Sequence, residues 1–71
     1  MLFDFSRLRG RIVERFGSCE RFAAAMGRSK VWLSVRLSNA VQWRAEEIRE
    51  AAEILEIPVE EIPSFFLVQK F

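Results

Sequence analysis

An apolar pattern of helical period, cut into short pieces, most constrains what this chain can become. Apolar residues recur at three- and four-residue spacing, and a two-residue alternation is weak until the last few residues. Gly17, Gly27, Pro58 and Pro63 punctuate the pattern, so no helix can run far before something stops it. A first helix is predicted over Phe5–Phe16, with Phe5, Leu8, Ile12 and Phe16 on its apolar face and Val13 beside it. Gly10 inside that helix costs about 1 kcal/mol relative to alanine, so it is expected to mark a close approach by another backbone. Ser18 is a suitable N-cap for a second helix, Cys19–Met26, and Glu20 in its first turn suits the helix dipole. Its inward residues are Phe22, Ala23 and Met26. Ser29 is the candidate cap of a third helix, which runs to about Ser38 with Leu33 and Leu37 inward. SNAVQ reads as a polar loop. A fourth helix, Ala45–Glu56, buries Ile48, Ala51 or Ala52, and Leu55. Pro58 can begin a short turn, VEEI, which Pro63 interrupts. The expectation is an all-α fold of five short helices or turns over residues 1–63, followed by an apolar tail over residues 64–71.

With 71 residues, one domain is expected, and a chain of that size buries only about 60% of its unfolded surface. A hydrophobic content of 51% argues against disorder. No apolar run is long enough for a transmembrane helix, and the start, MLFDFSRLRG, lacks the apolar core of a signal peptide. One cysteine and no histidine leave no internal disulfide, no conventional zinc ligand set, and no Ser-His or Cys-His catalytic pair. Ser29 and Lys30 are neighbours on an exposed helix start without a pocket. An enzyme is therefore not expected, and neither is a cofactor or a small-molecule substrate. The chain reads as a cytoplasmic binding protein without a membrane partner.

Charge gives the binding surface a side. Residues 1–36 carry eight positive charges against three negative ones, a net of +5, and residues 37–71 carry three against seven, a net of −4. A basic half on a near-neutral chain suits a polyanion, although uneven charge is also common on solvated helices. Seven of those eight cations are arginines, which favour forked contacts to phosphates or bases.

The stretch SCERFAAAMGRSKVWLSVRLSN, residues 18–39, has the layout of a helix-turn-helix. Gly27 tolerates the positive φ of a tight turn. Ala23, four residues earlier, is small enough for a close helix crossing. Leu33, six residues after the glycine, anchors the second helix. On these residues the chain resembles the Cro and repressor (XRE-type) helix-turn-helix family over residues 4 to about 57. FDFSRLRGRIVERFG, EEIREAAEILEIPVEEI and the final FF make it similar to short phage-type Cro-like proteins. The resemblance implies a lambda-repressor-like helix-turn-helix domain and sequence-specific binding of double-stranded DNA. It also implies a two-fold homodimer on a palindromic operator, repression of transcription, and a place at the nucleoid. Cys19 stands where the family often has a glutamine that contacts phosphate. Arg36 stands where an apolar residue is usual, with Leu37 next, which suggests a recognition helix rotated or lengthened at its end.

If Leu33 points to the core, Val31 and Val35 lie about 160° away. The family presents the first turn of this helix to the major groove. The candidate base-reading residues are Ser29, Lys30, Val31, Trp32, Ser34 and Val35, since lysine can reach a guanine edge and valine can pack on thymine methyls. The alternative is that Val31, Trp32 and Val35 bury against another part of the protein. Arg7, Arg9, Arg11, Arg28, Arg36 and Asn39 are candidate phosphate contacts, which position without specifying; the alternative for any one arginine is a solvated face. Trp43 and Ile48 have the spacing of a hydrophobic staple around Arg44. Glu46, Glu47, Glu50 and Glu53 read as a solvated helix face, and Cys19 as an inert small residue.

The tail is too apolar to be left in water. Either it folds back on the core, or Phe65, Phe66, Leu67, Val68 and Phe71 form a dimer contact, with LVQKF pairing as a strand with a symmetry mate. The rival from another class is a protein-interaction module on the same scaffold, antirepressor- or antitoxin-like, whose exposed Trp32 and valines dock on protein.

Overall fold

A computed structural model describes residues 2–70. Its helices begin and end mostly where local chemistry puts them. α1 (Ser6–Phe16) stops at Gly17, whose φ is +83° and whose N–H donates to the Val13 carbonyl at 2.8 Å. α2 (Cys19–Ala25) is capped by Ser18, whose hydroxyl accepts the Arg21 N–H at 3.2 Å. α3 (Lys30–Leu37) is capped by Ser29, whose hydroxyl accepts the Trp32 N–H at 3.1 Å. Between them Gly27 has φ +72°, and the Arg28 N–H bonds the Ala23 carbonyl at 2.9 Å. A Cβ at Gly27 would meet nothing within 4 Å, so the turn needs its backbone angle and not its small size. Gly10 also faces open space; the expected close approach of another backbone is absent there.

α4 (Ala45–Ile54) follows Arg44 as N-cap and ends two residues earlier than expected, with Glu56 at φ +54°. Pro58 leads into a 3-10 turn, Val59–Glu61, and α5 (Ile62–Phe66) follows without a break. Pro63 sits in the first turn of α5. There its missing N–H costs nothing, so it helps start a helix at the point where it was expected to end the VEEI turn. Among the described residues the fold is all-α with five helices, as expected.

The core draws on every helix. Leu8 and Ile12, Phe22 and Ala23, Leu33 and Leu37, Ala51 and Ala52, and Leu55 with Ile57 are buried together. Phe16 and Ile48, expected inside, are half-buried at its margin. Phe65 and Phe66 are 2% and 1% exposed. Each such burial is worth about 1.5–3 kcal/mol, so they belong to the monomer's own core. Their assignment to a dimer contact is corrected, and the line drawn between residues 63 and 64 runs through α5, which packs on α1 and α4.

Beyond α5 the chain makes, among the described residues, a single antiparallel bridge, and it does so with its own beginning. The Asp4 N–H donates to the Val68 carbonyl at 2.7 Å and the Lys70 N–H to the Leu2 carbonyl at 2.9 Å, around an antiparallel Phe3–Gln69 bridge. This pattern turns the backbone N–H and C=O of Phe3 and Gln69 away from each other. Asn39, at φ +69° just past α3, takes both groups of Phe3: its Oδ1 accepts the N–H and its Nδ2 donates to the carbonyl, each at 2.9 Å. A side-chain amide thus completes the ribbon on one edge. Phe71, also offered as a dimer residue, lies outside the described residues.

Candidate nucleic-acid interface

The motif's outer surface is built on α3. Leu33 and Leu37 bury one side of it, which turns Lys30, Val31 and Ser34 outward. All three are exposed, Val31 at 70%. The Ser29 hydroxyl is engaged in capping. Val35 is half-buried because the chain returns over the end of α3, where the Val41 N–H bonds the Val35 carbonyl at 3.0 Å. Trp32 is also half-buried. Its ring meets Trp43 edge-on at 5.7 Å, and Trp43 meets Phe66 the same way at 5.1 Å. Trp32 and Val35 therefore follow the alternative of packing against the protein, and the outward set shrinks to Lys30, Val31 and Ser34 with Ser29 at its edge.

The expected phosphate contacts divide more sharply. Arg36 places Nε and Nη2 on Oε1 and Oε2 of Glu47, both at 3.1 Å, in a pair whose side chains are 11% and 9% exposed. Arg36 also donates to the Trp32 carbonyl at 3.0 Å. It is a structural residue, and Glu47 is buried where a solvated face was expected. Asn39 holds Phe3. Arg9 donates to the Leu37 carbonyl at 3.2 Å and Arg11 to the Leu55 carbonyl at 3.0 Å. These carbonyls end α3 and α4, where the helix leaves acceptors without partners. Arg7 reaches Ser64 at 2.7 Å and Glu61 at 3.5 Å, with its guanidinium 4.3 Å from the Phe65 ring. Arg28 alone of the six makes no side-chain hydrogen bond among the described residues; its guanidinium lies 5.1 Å from the Trp32 ring.

Charge reading missed Arg21 and Arg44, which are exposed, and Glu47. Arg28, Arg36 and Arg44 line a cleft of about 310 Å³ beside Trp32, with Glu46, Glu47 and Glu50 also in its wall. The signal for Glu47 was its N3 position: its Oε1 accepts the Arg44 N–H at 2.9 Å. Burial pushes its carboxyl up, but the Arg36 hydrogen bonds, the Arg44 N–H and the charges of Arg36 and Arg44 outweigh this and hold it below its ordinary value. Trp43 and Ile48 line the same cavity, of about 520 Å³, with Leu2, Val41 and Leu67 also in its wall.

The family model described as "Protein of unknown function (DUF739)" matches residues 1–69. The chain belongs to that family. It is similar to the modulator of repression (MOR) of the temperate bacteriophage TP901-1 from Lactococcus lactis, known from its solution structure. The two are 39% identical with a TM-score of 0.83, over 93% of this chain and 89% of that one. No curated protein matches the sequence. Among the described residues no helix is long and apolar enough to cross a membrane.

Proposed function

We propose that this protein is a phage regulator of repression that presents α3 and the turn before it to double-stranded DNA, as a Cro-like dimer on a palindromic operator. One observation carries the reading. Arg7, Arg11 and Arg15 of α1 and Arg36 at the end of α3 each meet a glutamate. Arg21, Arg28 and Lys30, spread over α2, the turn and the start of α3, make no ion pair among the described residues. Apart from Arg36 the motif keeps its cations unpaired among the described residues, while much of the rest of the basic half is matched internally. Likeness to a phage modulator of repression supports the regulatory class. In this mechanism Arg21 and Arg28 hold phosphates, Lys30 reaches a guanine edge, and Val31 packs on a thymine methyl. The dimer uses the open edge at Gln69 with exposed Leu67 and Val68 beside it.

A second reading, a protein-docking modulator, is favoured by the inward turn of Arg9, Arg11, Arg36 and Asn39. That leaves a smaller phosphate grip around an exposed valine. A gel shift on a randomised duplex library across a salt series separates the two. Selection of a palindromic site supports the DNA reading. No shift at low salt, with Val31→Ala breaking a protein complex, supports docking.

A further inference from the structure

α3 has few points that fix its roll. Its fully buried side chains are Leu33 and Leu37, four residues apart, and together they define a seam about which a short helix can turn. At about 100° per residue, Trp32 and Arg36 both lie on one flank of that seam. The side-chain clamp on α3 grips that flank, whereas Arg9 and the Val41 N–H hold only the Leu37 and Val35 carbonyls at the end of the helix. The Arg36 guanidinium lies 4.1 Å from the Trp32 ring centroid and donates Nη1 to the Trp32 carbonyl at 3.0 Å. Its other two nitrogens meet both oxygens of Glu47 at 3.1 Å. Glu47 is itself fixed, because its Oε1 accepts the Arg44 N–H at 2.9 Å. A guanidinium and a carboxylate joined by two bonds fix orientation as well as distance. A buried pair of this kind is weak in stability terms, since apolar residues of similar volume often do as well or better. Its geometry is what an apolar pair could not supply.

We infer that Glu47 is a positioning residue for the outer face of α3: through Arg36 it sets the helix's roll, and so where Lys30, Val31 and Ser34 stand. The functional half of this inference rests on the DNA reading above; the structural half does not. With side chains 11% and 9% exposed, Arg36 and Glu47 act through the position of α3.

The test uses the full chain as wild type, as the double variant Arg36→Met with Glu47→Leu, and as Glu47→Gln. Three quantities are read: the urea midpoint, the residual dipolar couplings of α3 amides relative to those of α1, and the preference for a duplex selected by the wild type over its single-base variants. The double variant is expected to unfold at or above the wild-type midpoint, with α3 couplings that no longer fit the wild-type orientation. Its preference is expected to fall by about fivefold or more. Wild-type couplings and preference in the double variant would overturn the inference and leave the clamp a mere stabilising contact. If the double variant does not fold, Glu47→Gln decides, because it keeps an oxygen for the Arg44 N–H and loses the charge. Unchanged α3 couplings there overturn the inference too. If the wild type selects no duplex, the DNA reading fails and the couplings still decide the role of Glu47.

Discussion

Truncating Glu47 to alanine leaves the Arg36 guanidinium, 11% exposed in the wall of the cleft, without its counter-charge. Breaking a buried pair from one side costs about 3–5 kcal/mol, a large share of what a small domain has. Urea unfolding of Glu47→Ala should show a loss of that size. The same pair makes stability depend on pH. The folded carboxyl titrates below its ordinary value of 4.5. Its contribution is therefore complete above that value and disappears as pH falls through the lower, folded one. The urea midpoint of the wild type should drop through this acid window, and Glu47→Gln should lose the part of the drop due to this group. Asn39 carries a different kind of cost. Asn39→Ala removes both bonds to Phe3 and puts a Cβ-bearing residue without a local hydrogen bond at φ +69°. About 2 kcal/mol is expected. Hydrogen exchange at the Asp4 and Lys70 amides should quicken, while exchange in α1 should follow only the global loss. Asn39→Gly, which keeps the angle and loses the bonds, separates the two contributions.

At the scale of elements, α2, its turn and α3 were legible because their signals are local. Ser18, Gly27 and Ser29 act within three or four residues of themselves, and the structure uses each in that way. The crossing of these helices rests on Ala23, which is 1% exposed and whose carbonyl receives the Arg28 N–H. Ala23→Leu should overpack it by about 1–3 kcal/mol, measured as a shift in the urea midpoint. What escaped the sequence joins residues far apart in the chain. The alternation in LVQKF announced a strand but not its partner, because residues 2–4 carry no alternation strong enough to nominate themselves. The apolar tail announced that it needed cover, and Phe65 and Phe66 found it in the monomer. Arginine count announced a basic surface, but an arginine next to a glutamate or a helix-end carbonyl looks, in sequence, like one facing solvent. Hence Arg28 kept its expected freedom while Arg36 did not, although both belong to the same motif.

For the molecule as a whole the question is how much charge remains for a polyanion once the internal pairs are made. A dimer in which Arg21, Arg28 and Lys30 of each subunit meet phosphates or bases would release about six counterions. The logarithm of its affinity should then fall with the logarithm of salt at a slope near −5. Arg28→Ala should weaken binding to all duplexes alike and make that slope shallower by about 2, one contact per subunit. Arg36→Ala should act otherwise. Its side chain is held by Glu47 and Trp32, so the variant should lose folding stability, and at temperatures where it remains folded its slope should match the wild type. Lys30→Ala should lose discrimination at one base pair per half-site by about 1–3 kcal/mol and, because its charge is also lost, flatten the salt slope as Arg28→Ala does. The measurement is equilibrium binding of each variant to selected and random duplexes across the salt series. Binding that is flat between low and physiological salt would remove the polyanion from the account. The exposed face around Val31 would then be a surface for protein, and the unpaired cations of the motif would need an acidic partner to explain them.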